Sequence, residues 1–203
     1  MFFRPEARPT DRLPHDPFKA IVAPRPIGWI GSADAEGRAN LAPYSFFNAI
    51  GSHPPLVMFS SEGLKDSVTN IRATGEFTAS LATWDLRHAM NASSAPLPPG
   101  TSEFEATGLT PVPGQIVRAP RVGESPVALE CRAIEIKALV DLDGRPIGNH
   151  MVIGQVVGIH IDDAYVIAGR FDLARARPIT RCGYKDYAVV TELFALDRPP
   201  GAD

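Results

Sequence analysis

Hydrophobic and polar positions alternate in short runs along most of this chain, a pattern that is typical of half-buried β-strands. The 20 Pro and 17 Gly residues are spread between these runs, where they mark turns. The pattern predicts a strand at 18–23, a hairpin over 27–47, and strands at 56–61, 76–82, 127–142, 150–162 and 188–190. We expect a mainly β fold, a closed or nearly closed antiparallel barrel, because closure removes exposed strand edges.

A few short helices interrupt the strands. Asp66 or Ser67 would cap a helix over 67–73 that ends at Gly75. A second helix is predicted over 85–92. Residues 94–125 are rich in Pro, Gly, Ser and Thr, which predicts a long excursion with one short helical turn. A loop of that length is usually functional or lies on a partner.

The chain organises as one domain with short appendages. Its 203 residues suit a single domain, and no internal repeat is visible. We assign residues 1–17 to an irregular N-terminal arm, 18–198 to the domain and 199–203 to a tail.

Composition excludes several functional classes. The hydrophobic content of 44% and charged content of 21% are those of an ordinary soluble globular chain. The net charge of −3 offers no basic field for nucleic acid or an anionic membrane. No apolar run approaches the ~20 residues of a membrane helix, and no signal peptide core is present. Two cysteines without a metal-binding spacing predict a reduced, cytoplasmic protein without a metal.

The candidate chemistry lies in residues 40–67, which begin NLAPYSFFNAIGSHPPLVMFSS. Small residues and proline let a backbone come close to a flat ring and offer N–H groups to its polar edge. The residues suited to that contact are Ala42, Pro43, Tyr44 and Ser45. The segment therefore favours a flat aromatic ligand.

A phosphate seat follows along the chain. Ser60, Ser61 and Lys65 supply hydroxyls and a cation, and the first turn of the helix at Asp66 and Ser67 supplies free N–H groups. Arg25 could add a second cation, and Asn48 could bind a ribityl chain or the phosphate. A flat ring that carries a phosphate is the description of flavin mononucleotide (FMN).

Each of these residues also has an ordinary structural interpretation. Tyr44, Phe46 and Phe47 would serve equally as core aromatics, and Ser60 and Ser61 as turn residues at a strand end. Lys65 and Asp66 would usually be solvated. Only the order and closeness of these parts along the chain favour the ligand.

The quoted segment, with RPIGWIGS before it and KDSVTNI after it, resembles the flavin reductase-like family of FMN-binding split barrels, which includes flavoredoxin-type proteins. The likeness continues through TGEFTASLATWDLRHAMNASS, SPVALECRAIE, NHMVIGQVVGIHIDD and RCGYKDYA, and so covers residues 18–198. The more specific pair of motifs is APYSFFN and the spacing from Ser61 to Asp66 and Ser67.

The resemblance implies a split β-barrel homodimer with FMN at the subunit interface and hydride transfer from NADH or NADPH to the flavin. Ala42, Pro43, Tyr44 and Ser45 would line the ring, while Asn48, Ser60, Ser61, Lys65, Asp66 and Ser67 would hold the ribityl chain and phosphate. His150 would face the nicotinamide as the candidate catalytic residue. A monooxygenase or another acceptor would receive the electrons.

Two alternative functions stay open, and two residues depart from the family pattern. The chain could be an FMN-binding electron carrier that a partner reduces, or a split barrel that has lost its flavin. Ser80 stands where the family pattern has Asn, and Tyr184 where it has Gly. Tyr184, close to Cys182, would reshape or cover the face of the ring.

Overall fold

The computed structural model describes residues 1–98, 101–199 and 201. Its strands are β1 (Arg25–Pro26), β2 (Gly28–Ala33), β3 (Ala39–Tyr44), β4 (Phe47–Ser52), β5 (Pro55–Glu62), β6 (Glu76–Leu81), β7 (Pro111–Val112), β8 (Arg121–Val122), β9 (Val127–Val140), β10 (Pro146–Ile161), β11 (Val166–Ile167), β12 (Arg170–Phe171), β13 (Ile179–Arg181) and β14 (Tyr187–Val189). Its helices are α1 (Phe18–Ile21), α2 (Asp66–Thr74), α3 (Arg87–Ala92), α4 (Glu103–Thr107) and α5 (Leu173–Ala176), with 3₁₀ turns at Pro5–Ala7 and Asp163–Tyr165.

Seven antiparallel strands form the main sheet in the order β3-β2-β6-β9-β10-β5-β4. Its two edge strands, β3 and β4, are consecutive in the chain and only Ser45 and Phe46 separate them. The sheet therefore curls until its edges approach each other, which gives the nearly closed barrel that the strand pattern predicts. A smaller sheet, β1-β13-β14, brings the C-terminal part of the chain beside the start of β2.

Helix α2 closes one end of the barrel core. Its Val68 and Ile71 are buried in one cluster with Phe59, Phe77 and Val152 of the strands. Gly75 ends the helix in the left-handed conformation, with φ of 73°, and its N–H donates to the carbonyl of Ile71. Glycine adopts this conformation at low cost, so the predicted end of the helix is confirmed.

A second core lies on the outer face of β2, and the long excursion covers it. Trp29 and Leu41 pack there with Phe104, Leu109 and Val122, of which the last three belong to residues 94–125. Thr78 Oγ1 donates to the carbonyl of Pro120 at 2.6 Å. The excursion therefore folds onto the chain's own sheet; its residues 99 and 100 lie outside the described part.

A buried carboxylate anchors the excursion. Glu130 of β9 is 1% exposed and accepts hydrogen bonds from the backbone N–H groups of Gln115, Ile116 and Val117 at 2.7, 2.7 and 2.8 Å. His160 Nε2 lies 2.5 Å from the same carboxylate. Burial raises the pKa of Glu130, but these hydrogen bonds outweigh it and lower the pKa to about 2.

Three local predictions are wrong. Residues 18–23 contain the short helix α1 instead of a strand. The N–H of Phe18, its first residue, donates to Asp16 Oδ1 at 2.9 Å, and an Asp just before a helix is a helix-start signal. The predicted hairpin ends at residue 47, whereas strand β4 continues to Ser52. Its mostly exposed side chains show no clear alternation, and it is a strand because it pairs with β5. Neither Asp66 nor Ser67 caps α2, whose N-cap is Lys65.

The domain division is still a prediction. Residues 1–17 contain the 3₁₀ turn Pro5–Ala7, and most of the proposed tail, residues 200, 202 and 203, lies outside the described part. In the described residues no helix is long and apolar enough to cross a membrane.

Candidate functional site

The N-terminus of helix α2 is open to an anion. Its N-cap, Lys65, makes no side-chain capping hydrogen bond, and the first helical bond runs from Thr69 N–H to the carbonyl of Lys65. Within residues 1–98, 101–199 and 201, the N–H groups of Asp66, Ser67 and Val68 have no hydrogen-bond acceptor. Uncapped N–H groups at the positive end of a helix dipole are a ready anion site.

Ser60 and Lys65 both precede this helix in the chain, and Lys65 adjoins its first residue. Ser60 is half-buried near the end of β5, and Lys65 is exposed immediately before the helix. Together with the helix N–H groups they supply a hydroxyl, a cation and backbone donors, as a phosphate requires. The exposed carboxylate of Asp66 would repel a phosphate, although it can accept hydrogen bonds from the hydroxyls of a ribityl chain.

The structure turns two of the predicted hydroxyls inward. Ser61 is fully buried and its Oγ donates to the carbonyl of Gly63 at 3.1 Å. Ser67 is 1% exposed and its Oγ accepts from Asn40 Nδ2 at 3.0 Å. These side chains form a wall behind the helix end, and their hydroxyls are already hydrogen-bonded within the protein.

Tyr44 forms the floor of the same site. Its ring packs on Phe59 with centroids 4.6 Å apart, and its hydroxyl is buried without a partner in hydrogen-bonding geometry. Burial raises the pKa of Tyr44, while the nearby hydroxyls of Ser67 and Ser61 lower it and the charges of Asp66 and Glu103 raise it. The side chain thus points into the barrel, and only the backbone of Tyr44 can border a ring.

His150 lies on β10 at the level of Ser61 of the neighbouring strand. In the pairing of β10 with β5, His150 stands opposite Ser61 and Met151 opposite Ser60. Its Nδ1 is buried and has no hydrogen-bond partner among the residues that the structure describes. His150 Nδ1 and Tyr44 Oη are therefore two buried polar atoms without partners, one beside Ser61 and the other close to it.

The remaining predicted residues differ in their access. Asn48 is exposed on β4 and pairs with Met58, so it lies on the outward face that also carries Ser60. Arg25 is buried, and its Nη1 donates to the carbonyls of Lys19 and Val22, which fastens α1 to the barrel. Nη1 of Arg25 is thus engaged within the protein, whereas its buried Nε has no hydrogen-bond partner among the described residues.

A cavity of about 300 Å³ opens beside the predicted ring segment. It is lined by Ile27, Pro43, Ser45, Met90, Asn91, Ser94, Arg181 and Tyr187. Pro43 and Ser45 were predicted from the sequence. Arg181 and Tyr187 were not, because the pairing of β13 with β1 and of β14 with β13 brings them there from a distant part of the chain. The motif RCGYKDYA was the only local signal for them.

The two departures from the family pattern have structural roles. Ser80 is buried, and its Oγ accepts from the N–H of Val122 at 3.1 Å, which holds β8 of the excursion. Tyr184 is 49% exposed with φ of 43°, and its ring lies 6.0 Å from that of His15. Neither is among the residues that line the cavity.

The donor set fits the phosphate end of a flavin nucleotide. Uncapped helix N–H groups, Ser60 and Lys65 suit the phosphate, and two orphaned buried polar atoms lie at or beside the wall behind them. Across the described residues no group of three or more His, Cys, Asp or Glu side chains could hold a metal ion.

Comparison with known proteins gives one consistent family. Residues 22–170 match the family model of the flavin reductase like domain. An uncharacterised protein of Halalkalibacterium halodurans is 36% identical over 183 residues, which cover 88% of this chain and 87% of that protein.

Two solved structures share the fold along nearly their whole lengths. Nitrilotriacetate monooxygenase component B from Bacillus cereus superposes with a TM-score of 0.87 at 30% identity and covers 97% of this chain and 98% of its own. A Shewanella frigidimarina protein assigned as a flavin reductase with a split barrel domain gives a TM-score of 0.85 at 28% identity, covering 98% of this chain and 100% of its own.

The barrel and the open helix end thus define a split-barrel protein of flavin-binding type. The chain belongs to the flavin reductase-like family. The family and the fold predicted from the sequence are confirmed, and a flavin is the class of cofactor that this membership supports.

Proposed function

We propose that this protein is an FMN-dependent oxidoreductase that transfers hydride from NADH or NADPH to flavin. The observation that carries the proposal is the uncapped N-terminus of α2, which begins directly after Lys65 in a chain of the flavin reductase-like family. An FMN phosphate satisfies the free N–H groups there, whereas riboflavin leaves them to water.

The chain's own residues would bind and orient the cofactor. Lys65 and the first N–H groups of α2 hold the phosphate, and Asn48 and Asp66 offer acceptors to the ribityl hydroxyls. The backbone from Ala42 to Ser45 would border the ring, and the position of β3 at the edge of the main sheet leaves backbone groups of this segment available for such a contact. When bound, FMN supplies the hydride-accepting chemistry, and the protein supplies placement and electrostatics.

His150 is proposed to act near the phosphate end. Its position opposite Ser61 and its orphaned buried Nδ1 suit a side chain that orients the phosphate-binding wall. A direct role toward nicotinamide would require that co-substrate to reach the same end of β10.

We propose a homodimer with FMN at the subunit interface. The outward face of β5 and β10 carries Met58, Met151 and Ile153, which are only half-buried in the single chain. Ser60 and Asn48 lie on this same face. A second copy that covers the apolar side chains would also enclose a ligand held by the polar ones.

The physiological electron acceptor is proposed to be a partner monooxygenase or a comparable acceptor in the cytoplasm. The Bacillus cereus structure is a component of a nitrilotriacetate monooxygenase, and its whole length is similar to this chain. Reduced flavin made here would be passed to such an oxygenase.

The test is a spectrum of the purified protein, followed by titration with FMN and with riboflavin. We expect flavin absorbance and tighter binding of FMN. A colourless protein that takes up no added FMN would remove the proposal. Oxidation of NADH and NADPH in excess FMN then separates the two candidate activities: turnover identifies a reductase, and bound FMN without turnover identifies an electron carrier.

A further inference from the structure

The cavity beside Pro43 contains a guanidinium with no carboxylate partner. Arg181 is half-buried, and its Nη2 donates to the backbone carbonyl of Tyr184. It forms no ion pair with any of the described residues. An arginine side chain carries five N–H donors in a planar fork, so most of this donor capacity is available to a ligand.

The direction of Arg181 is fixed by its surroundings. Its guanidinium lies over the ring of Tyr187 at 4.5 Å from the centroid, and the two residues are paired across β13 and β14. Stacking on an aromatic ring and a hydrogen bond to Tyr184 restrict the rotation of the side chain. A preorganised fork loses less entropy when it binds an anion than a free surface arginine does.

The rest of the lining favours an acid with a small apolar body. Among the described residues no carboxylate side chain lines the cavity, and its neutral polar groups include Ser45 and the amide of Asn91. In the described part of the chain neither of these side chains makes a hydrogen bond. Pro43 and Met90 supply apolar wall, and a volume of about 300 Å³ is at the small end of ligand pockets.

We propose that this cavity binds the carboxylate of a small organic acid, with Arg181 as the bidentate partner and a single ring or short chain against Pro43 and Met90. The acid would be the substrate or acceptor that docks beside the flavin ring, and this assignment rests on the proposed function. The binding of the acid itself depends only on the cavity and Arg181.

Isothermal titration calorimetry with benzoate and benzamide tests the proposal, because the two probes have nearly the same shape and differ in charge. The protein is saturated with FMN, and Arg181→Gln is compared with the unchanged chain. We expect benzoate to bind at least tenfold more tightly than benzamide. The Arg181→Gln variant should lose at least tenfold in benzoate affinity and little for benzamide.

Arg87→Gln is the matched control, because Arg87 stacks on Trp84 at 4.0 Å and does not line the cavity. It should leave both affinities unchanged. If Arg181→Gln does not fold, Asn91→Ala should lower benzoate affinity severalfold. Equal affinity for the two probes, no benzoate binding, or full benzoate binding by Arg181→Gln would overturn the proposal.

The experiment distinguishes failure of the acid-binding proposal from failure of the proposed FMN binding. Flavin absorbance in the same samples reports FMN binding directly. If FMN does not bind, the benzoate titration is still measured on the flavin-free protein, where a charge-dependent signal that needs Arg181 supports the acid site alone.

Discussion

At the scale of single residues, the proposed phosphate site has one side-chain cation, Lys65. Lys65 is exposed and is the N-cap of α2, so its ammonium can reach an anion held by the helix N–H groups. The hydroxyls of Ser61 and Ser67, by contrast, are buried and already hydrogen-bonded within the protein. Among these three side chains, Lys65 should therefore contribute most to FMN retention.

We predict that Lys65→Ala weakens FMN binding with the fold intact. A charge-assisted hydrogen bond contributes about 1.5–3 kcal/mol, so affinity should fall about tenfold or more. Fluorescence titration measures it, and Arg72→Ala, in the last turn of the same helix, should have no effect. Unchanged affinity in Lys65→Ala would show that the phosphate binds elsewhere.

A second residue-scale prediction concerns Tyr44, whose buried hydroxyl has no partner. An unsatisfied buried polar group costs about 1–3 kcal/mol, so Tyr44→Phe should leave the melting temperature equal or raise it. FMN affinity should change little, because the proposed contact with the ring is made by the backbone of Tyr44 only. A large loss of FMN affinity would mean that the hydroxyl contacts the ligand.

At the scale of elements, a buried carboxylate anchors the excursion over residues 94–125, in addition to its own short helix and strands. Three consecutive N–H groups and His160 converge on Glu130. The excursion in turn covers Trp29 and Leu41 on the outer face of the sheet. Loss of the anchor should therefore loosen the second core as well as the loop.

We predict that Glu130→Gln destabilises the protein by about 3 kcal/mol at pH 7, because it removes a buried charge from its donors. Urea unfolding measures this, and Glu135→Gln, an exposed position on the same strand, is the control. A loss as small as that of the control would mean that Glu130 does not anchor the excursion.

The same carboxylate predicts a dependence of stability on pH. The pKa of Glu130 is about 2 in the folded chain and about 4.3 in an unfolded one. Its contribution is therefore complete above pH ~4.3 and is lost as pH falls toward ~2. Urea unfolding at several pH values between 3 and 5 gives the free energy of unfolding as a function of pH. This free energy should fall less steeply with decreasing pH in Glu130→Gln than in the unchanged chain. An equally steep fall would contradict the low pKa of Glu130 in the folded chain.

At the scale of the whole molecule, a single chain leaves an apolar face beside its polar site. Met58, Met151 and Ile153 share the outward face of β5 and β10 with Ser60. A homodimer through this face would make oligomeric state and FMN retention depend on each other.

We predict that Ile153→Asp yields a monomer that also loses FMN, since a charge on this face opposes its burial. Sedimentation velocity and the flavin content of the purified protein are the two measurements. Ile21→Asp, at a position that is 74% exposed on α1, is the control. A monomer that binds FMN with full affinity would show that FMN binding does not require the proposed dimer.

Local patterns in the sequence determined much of this protein. Alternation in residues 76–81 and 127–140 and the turn residues between runs predicted the strands, and Gly75 predicted the end of α2. The order of Ser60, Lys65 and Asp66 located the candidate phosphate seat. These features depend on neighbours within a few residues, which is the range over which periodicity and helix termini act.

Only the tertiary structure decided which groups face a ligand. It turned Ser61 and Ser67 inward, paired the weakly patterned β4 with β5, and laid the excursion on Trp29. It also brought Arg181 beside Pro43, because β1 pairs with β13. Pairing between distant strands depends on the packing of the whole barrel, and no local pattern of side chains specifies it.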